Sequence, residues 1–252
     1  MPQYWLLNGH FDPAKTQGLY EAIDRRESCR CFLSAPSTQQ WESVKLSAEA
    51  FALPGVRIVL GLCENALFLP FGGLLMKFEN VQRFAAVLTL DDNPESIVNA
   101  GISGEMLMLD AVQKGLGGCW VAGTYKHKEV GLSLAEGEKI RALIALGVPK
   151  ENPSLPLQRK RKPLSSICSL NFEQAPPAFL EVARAVQKAP SAINLQPWRL
   201  AFTPENSLSI AVKRPAQRLD LGIAISHAVL AMGSTPVQYH LSEDGLSARL
   251  TL

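Results

Sequence analysis

A few short stretches of the chain carry side chains whose types and spacing could do chemistry. In DRRESCRCF, residues 24–32, Arg26, Ser28 and Arg30 alternate. On an extended backbone two guanidiniums and a hydroxyl then share one side, a donor set suited to a phosphate or another polar anion. A solvated charged turn would use the same residues. The run QRKRKP, residues 158–163, sets Arg159 and Arg161 two apart. These could join Arg26 around a single dianion, although a cluster of like charge also fits a solvated loop. In APSAINLQPWRL, residues 189–200, Ser191, Asn194 and Gln196 stand between Pro190 and Pro197. Their donors and acceptors could address a flat heterocycle from a stiffened backbone, or simply cap and turn the chain while Trp198 fills core. GLGGCWVAGT, residues 115–124, holds four glycines. Glycine lets backbone amides approach a ligand, and it is equally the ordinary way to end a helix.

Other chemistries find no support. The order G-x-G-x-x-G after a strand is missing, as is a phosphate loop ending in lysine, and Ser191 has no G-x-S-x-G elbow around it. The histidines His10, His127, His227 and His240 lie in no motif that makes one a base; His227 sits in an apolar helical stretch and reads as a satisfied core residue. Five cysteines, without metal-ligand spacing, indicate neither a disulfide framework nor a structural metal and fit a reducing compartment. A net charge of +2, spread along the chain, advertises neither nucleic acid nor a membrane surface, so a small molecule is the expected partner. With 47% hydrophobic and 19% charged residues among 252, and no secretory or spanning segment, a globular, soluble, cytoplasmic protein is expected.

The elements that must position these stretches follow one order twice. AAVLTL (85–90) reads as a strand and leads, after a polar spacer, into the apolar helix AGISGEMLMLDAVQKGLG; LSIAV (208–212) leads likewise into LDLGIAISHAVLAMG, with Gly222 and Ile223 in the places of Gly101 and Ile102. Upstream, the strands VRIVLGL (56–62) and WRLAF (198–202) each follow an amphipathic helix, QQWESVKLSAEAF and PAFLEVARAVQK. Strand, spacer and buried helix is also a common order, so the pattern alone leaves a true repeat and a coincidence both open. As a repeat it gives an α+β chain of two fused halves related by a pseudo-twofold axis, with antiparallel or mixed sheets flanked by helices. The expected boundaries are 1–155 for the first half, 156–175 for a basic, proline-rich linker and 176–252 for the second half. Residues 1–17 receive no assignment.

Together these pieces resemble the FMN-dependent nitroreductase family, and particularly its single-chain branch in which two half-length copies are fused. RRESCRCF looks like the family's Arg-x-Ser-x-Arg/Lys-x-Phe element, PSAINLQPW like its Pro-Ser-x-x-Asn-x-Gln-Pro-Trp element, and GLGGCWVAG like its glycine-rich turn at the flavin. In relatives without the fusion two subunits share each flavin. Here the first half reads FALPGVRI where its own Pro-Ser-x-x-Asn should stand, and the second reads SSICSLNF in place of the arginine element. Complementary loss implies one complete site per chain, at the junction of the halves.

The resemblance implies that Arg26, Ser28, Arg30, Arg159 and Arg161 hold the phosphate and ribityl chain of FMN. Pro190, Ser191, Ala192 and Asn194 would line its ring, and Val121, Ala122 and Gly123 would bring backbone near the reactive N5. Glu27 and Ala122 depart from the family's usual residues. The implied activity is an NAD(P)H-dependent oxidoreductase working by ping-pong hydride transfer to a nitroaromatic- or quinone-like acceptor, with no protein residue in a catalytic role. A flavin-binding store or sensor without turnover is the alternative. A fused chain implies a monomer acting as an internal pseudo-dimer.

Overall fold

A computed structural model describes residues 5–6, 13–63, 67–69, 77–150, 160–169, 175–203, 207–233 and 237–251. Up to residue 150 the elements are β1 (Trp5–Leu6), α1 (Pro13–Arg25), β2 (Phe32–Ser34), α2 (Thr38–Ala50), β3 (Val56–Leu62), β4 (Arg83–Thr89), α3 (Pro94–Gln113), β5 (Gly117–Val121) and β6 (Lys139–Pro149). Then come α4 (Leu164–Ile167), α5 (Pro177–Lys188), β7 (Arg199–Thr203), β8 (Ser207–Ala211), α6 (Arg218–Ala231), β9 (Gln238–Leu241) and β10 (Ser247–Thr251). The fold is α+β.

Local chemistry sets several boundaries. Ser37 caps α2 through a reciprocal pair with Gln40, and prolines at the first turns of α3 and α5 use a ring whose missing N–H would be unpaired there anyway. α3 therefore begins at Pro94 and takes in PESIVN, which the sequence pattern assigns to a polar spacer. GLGGCWVAG departs further from expectation. Residues 117–121 are not a turn but the strand β5, paired antiparallel with β6 from Gly117↔Gly147 to Val121↔Leu143.

Two antiparallel sheets result. In one, β3, β4 and β6 lie side by side, with β2 and β5 also paired to β6; in the other the order is β1-β9-β10-β8-β7. β4 is buried on both faces, which explains its unbroken apolar run: Ala85 and Val87 join the main core, while Phe84, Ala86 and Leu88 join a second cluster with Leu143, Phe68 and Tyr125. The main core is continuous from α1 through to β10.

α3 and α6 pack against each other where both lack a side chain. A methyl built on Gly101 would overlap the Leu219 carbonyl and sit 3.0 Å from the Gly222 Cα; one on Gly222 would overlap the Val98 carbonyl and sit 2.9 Å from the Gly101 Cα. The contact is reciprocal, residue for residue. The strand β1 pairs with β9 through Trp5↔Tyr239 and Leu6↔Gln238, so the start of the chain extends the sheet built by its end. No helix among the described residues is long and apolar enough to cross a membrane.

Candidate functional site

The last turn of α5 leads directly into Pro190–Asn194. Terminal helix carbonyls lack intrahelical partners, and here cations or potential cations from three other segments meet them. His227 Nδ1 lies 2.9 Å from the Ala185 oxygen. Arg161 donates to the Lys188 oxygen at 2.8 Å and to the Ala189 oxygen at 3.0 Å. Arg26 donates to the same Lys188 oxygen at 3.3 Å. On the surface beside them, Lys188 pairs with Asp24 of α1.

Beyond α5 the polar side chains build the turn. Ser191 Oγ accepts from the Gln196 amide at 2.8 Å, Gln196 Oε1 accepts from the Lys162 amide at 2.8 Å, and Asp220 Oδ1 accepts from the Ala192 amide at 3.0 Å. Asn194 Oδ1 accepts from Arg161 at 3.0 Å while its Nδ2 donates to the Lys160 oxygen at 3.1 Å. This bracing holds Ile193, Asn194 and Gln196 at φ of 45°, 58° and 46°. A left-handed conformation is costly for a β-branched residue, and Ile193 adopts it while 69% exposed. Ala192 and Leu195 are also exposed, whereas Pro190 is buried. An apolar surface thus faces outward from a rigid polar scaffold.

The arginine element runs beside β5. Ser28 bridges Gly118 in parallel fashion, the Cys29 amide donates to the Gly118 oxygen at 2.9 Å, and the Arg30 guanidinium lies 5.9 Å from the Phe78 ring. β5 ends at buried Val121, followed by exposed Ala122 and Gly123. Ser28 and Arg30 are therefore tied to the strand that leads to Ala122 and Gly123, while Arg26, Arg161, Ser191 and Asn194 share the hydrogen-bonded web at the end of α5. Arg159 lies outside the described residues.

Arg26 is placed differently from the open clamp suggested by alternation. Its side chain is 3% exposed, with Nε 3.6 Å from Glu105 Oε1 and no hydrogen-bond partner for that buried nitrogen. Glu105 also accepts from Trp120 Nε1 at 2.7 Å and faces His227 Nε2 at 2.9 Å. His227 is core with both ring nitrogens engaged, as its setting in the sequence suggested. Glu105, Trp120 and Asp220 were not singled out. For Glu105 the signal was present, a carboxylate inside a helix apolar around its whole circumference.

Burial dominates the titration of two acids near the web. Burial pushes the Asp220 carboxyl up to about 6, with the Ala192 amide pulling the other way. Burial pushes the Cys29 thiol up to about 11, so the sulfur between Ser28 and Arg30 is a thiol near neutral pH. No metal-ligand cluster occurs among the described residues. A cavity of about 190 Å³ between α1 and α5 adjoins the web, lined by Tyr20, Asp24, Arg184 and Lys188 among others. A larger one, about 650 Å³, lies away from it between α1, α2 and α3.

The family model described as "Putative TM nitroreductase" matches residues 18–232. The chain belongs to that family. A solved structure described as a putative nitroreductase from Thermotoga maritima is similar over 93% of both chains, at 25% identity and a TM-score of 0.62. This likeness, with the sheets and helices described above, makes the fold nitroreductase-like. Shorter likenesses join the chain to an FMN-dependent nitroreductase of Clostridium difficile (16% identity, 62% of this chain and 96% of that one, TM-score 0.42). A putative nitroreductase of Desulfovibrio desulfuricans in complex with FMN is similar over 59% of this chain and 93% of its own (20% identity, TM-score 0.43). No curated protein matches.

Proposed function

We propose that the chain is a flavin oxidoreductase that holds one FMN between its two halves and carries reducing equivalents from NAD(P)H to a small nitroaromatic- or quinone-like acceptor. The observation that carries this reading is the Arg161–Asn194 hydrogen bond at 3.0 Å, which joins the basic segment to the outward-facing apolar turn. A cation suited to a phosphate and a surface suited to a flat ring are thereby held at one place.

Ser28, Arg30 and Arg161 would hold the phosphate and ribityl chain, with Arg26 acting from behind, and Arg159 joining them. Pro190, Ser191, Ala192 and Asn194 would line the ring, and the backbone of Val121, Ala122 and Gly123 would approach its reactive edge. FMN, when bound, supplies hydride acceptance and donation, so no acid, base or nucleophile is asked of the chain. The chain's contribution is to offset the anionic tail, fix the turn that orients the ring, and exclude water with Ala192, Ile193 and Leu195.

The freshly purified protein is expected to be yellow and to release FMN on heating, identified by mass spectrometry. Anaerobic addition of NADH or NADPH is expected to bleach the flavin band, and a quinone to restore it. Bound flavin that neither nucleotide bleaches would point instead to a store or sensor. A colourless protein that takes up no added FMN would overturn the reading.

A further inference from the structure

The end of α5 is closed without a C-terminal glycine. Helices commonly end on a left-handed residue that folds backbone amides onto the last carbonyls. α5 instead runs through Ala189 at φ −57° into Pro190. Its free carbonyls at Ala185, Lys188 and Ala189 are taken up by His227, Arg26 and Arg161, as given above. The direction in which the chain leaves α5 thus depends on side chains remote in sequence.

Glu105 governs two of those three donors. A carbonyl only accepts, so His227 Nδ1 carries the hydrogen directed at Ala185. The contact between His227 Nε2 and Glu105 Oε1, at 2.9 Å, then needs one further proton between the two groups. Trp120 donates to the other carboxylate oxygen, and Arg26 lies 3.6 Å from the first. The indole of Trp120 is itself seated over Gly104, where any Cβ would overlap the ring. Glu105 and His227 are both fully buried, one on α3 and the other on α6. Their geometry is consequently held by packing from both halves.

We propose that Glu105 and His227 are positioning residues for the Pro190–Asn194 turn: Glu105 aims Arg26 and His227 at the last turn of α5, and that turn fixes where the ring-facing segment begins. The role rests on the flavin reading for its purpose, while its structural content can be measured without flavin. A network of this kind costs free energy to bury, and apolar residues of similar volume often restore stability in its place. This property separates positioning from mere core filling.

The test compares wild type with Glu105→Gln, His227→Asn and the double variant Glu105→Met/His227→Leu. Amide hydrogen exchange at Ala192 and Gln196, whose N–H groups are held by Asp220 and Ser191, is read without FMN; FMN affinity is read separately by flavin fluorescence. Each single variant is expected to speed exchange at both amides, and to weaken FMN binding, by about tenfold or more, with the β4 and β6 amides unchanged. The double variant is expected to regain the wild-type unfolding midpoint without regaining slow exchange or FMN affinity, which also covers single variants too unstable to isolate. Unchanged exchange at Ala192 and Gln196 would overturn the proposal, as would a double variant that restores midpoint, exchange and affinity together. A wild type that takes no FMN, while these amides still respond to the substitutions, would remove the flavin reading and leave the positioning role standing.

Discussion

A carboxyl that is 5% exposed and bonded to a single backbone amide is costly to ionise, and Asp220 is such a group. Its pKa is raised to about 6 from the ordinary 3.8, so between those values the folded protein binds more protons than the unfolded chain. Stability from this residue is therefore present below pH 4 and lost as the pH rises toward 6 and above. Asp220→Asn keeps an oxygen for the Ala192 amide and removes the charge. The variant should match wild type near pH 4 and be more stable by about 2 kcal/mol at pH 7.5, measured by urea unfolding across that range. Parallel pH profiles for the two proteins would show that the carboxylate is not penalised. At this scale PSAINLQPW was legible as a candidate site, but the use of its polar atoms was not. Ser191 bonds to Gln196 within its own turn, while Asn194 spends its amide on Arg161 and Lys160, and partnerships across more than thirty positions leave no local trace.

Helices that touch through paired glycines have no room for a methyl, and this gives the α3–α6 contact a direct test. Gly101→Ala would press Cβ onto the Leu219 carbonyl and Gly222→Ala onto that of Val98, in each case against backbone that cannot rotate away. Each is expected to lower the unfolding free energy by about 2 kcal/mol or more, read from the urea midpoint at unchanged slope. Gly123→Ala is the control, since a methyl there meets nothing within 4 Å, and it should stay within about 0.5 kcal/mol of wild type. The glycines were visible in the sequence as matching positions in two apolar helices, because a buried helix announces itself by lacking a polar face. β3, β4, β7 and β8 were legible for a similar reason, as compact runs of strand formers. β5 was misread as a turn because its glycines resemble loop punctuation; they instead admit Cys29 and Met108, which a Cβ at Gly117 or Gly118 would crowd. β9 and β10 carried too little apolar pattern to be noticed, and β1 is fixed by a partner more than 200 positions away.

We propose that at the scale of the whole molecule one polypeptide does what two subunits would otherwise provide, working as a monomer with an internal pseudo-twofold. α3 packs against α6, and the main core runs from α1 through to β10 without a break. Three connections reinforce that union from different directions: β1 extends the second sheet, Arg26 reaches the end of α5, and Glu105 meets His227. A core of this kind should melt as a unit, since neither half can expose α3 or α6 without losing the other's packing. Sedimentation velocity is expected to show a single species of one chain's mass at micromolar concentration, and fluorescence and circular dichroism should report coincident unfolding midpoints. Separate midpoints would mean that the halves are independent domains joined by a linker. A concentration-dependent dimer that alone binds FMN would move the site from the junction within the chain to an interface between chains, and would remove the reason for Arg161 and Asn194 to share a hydrogen bond within one molecule.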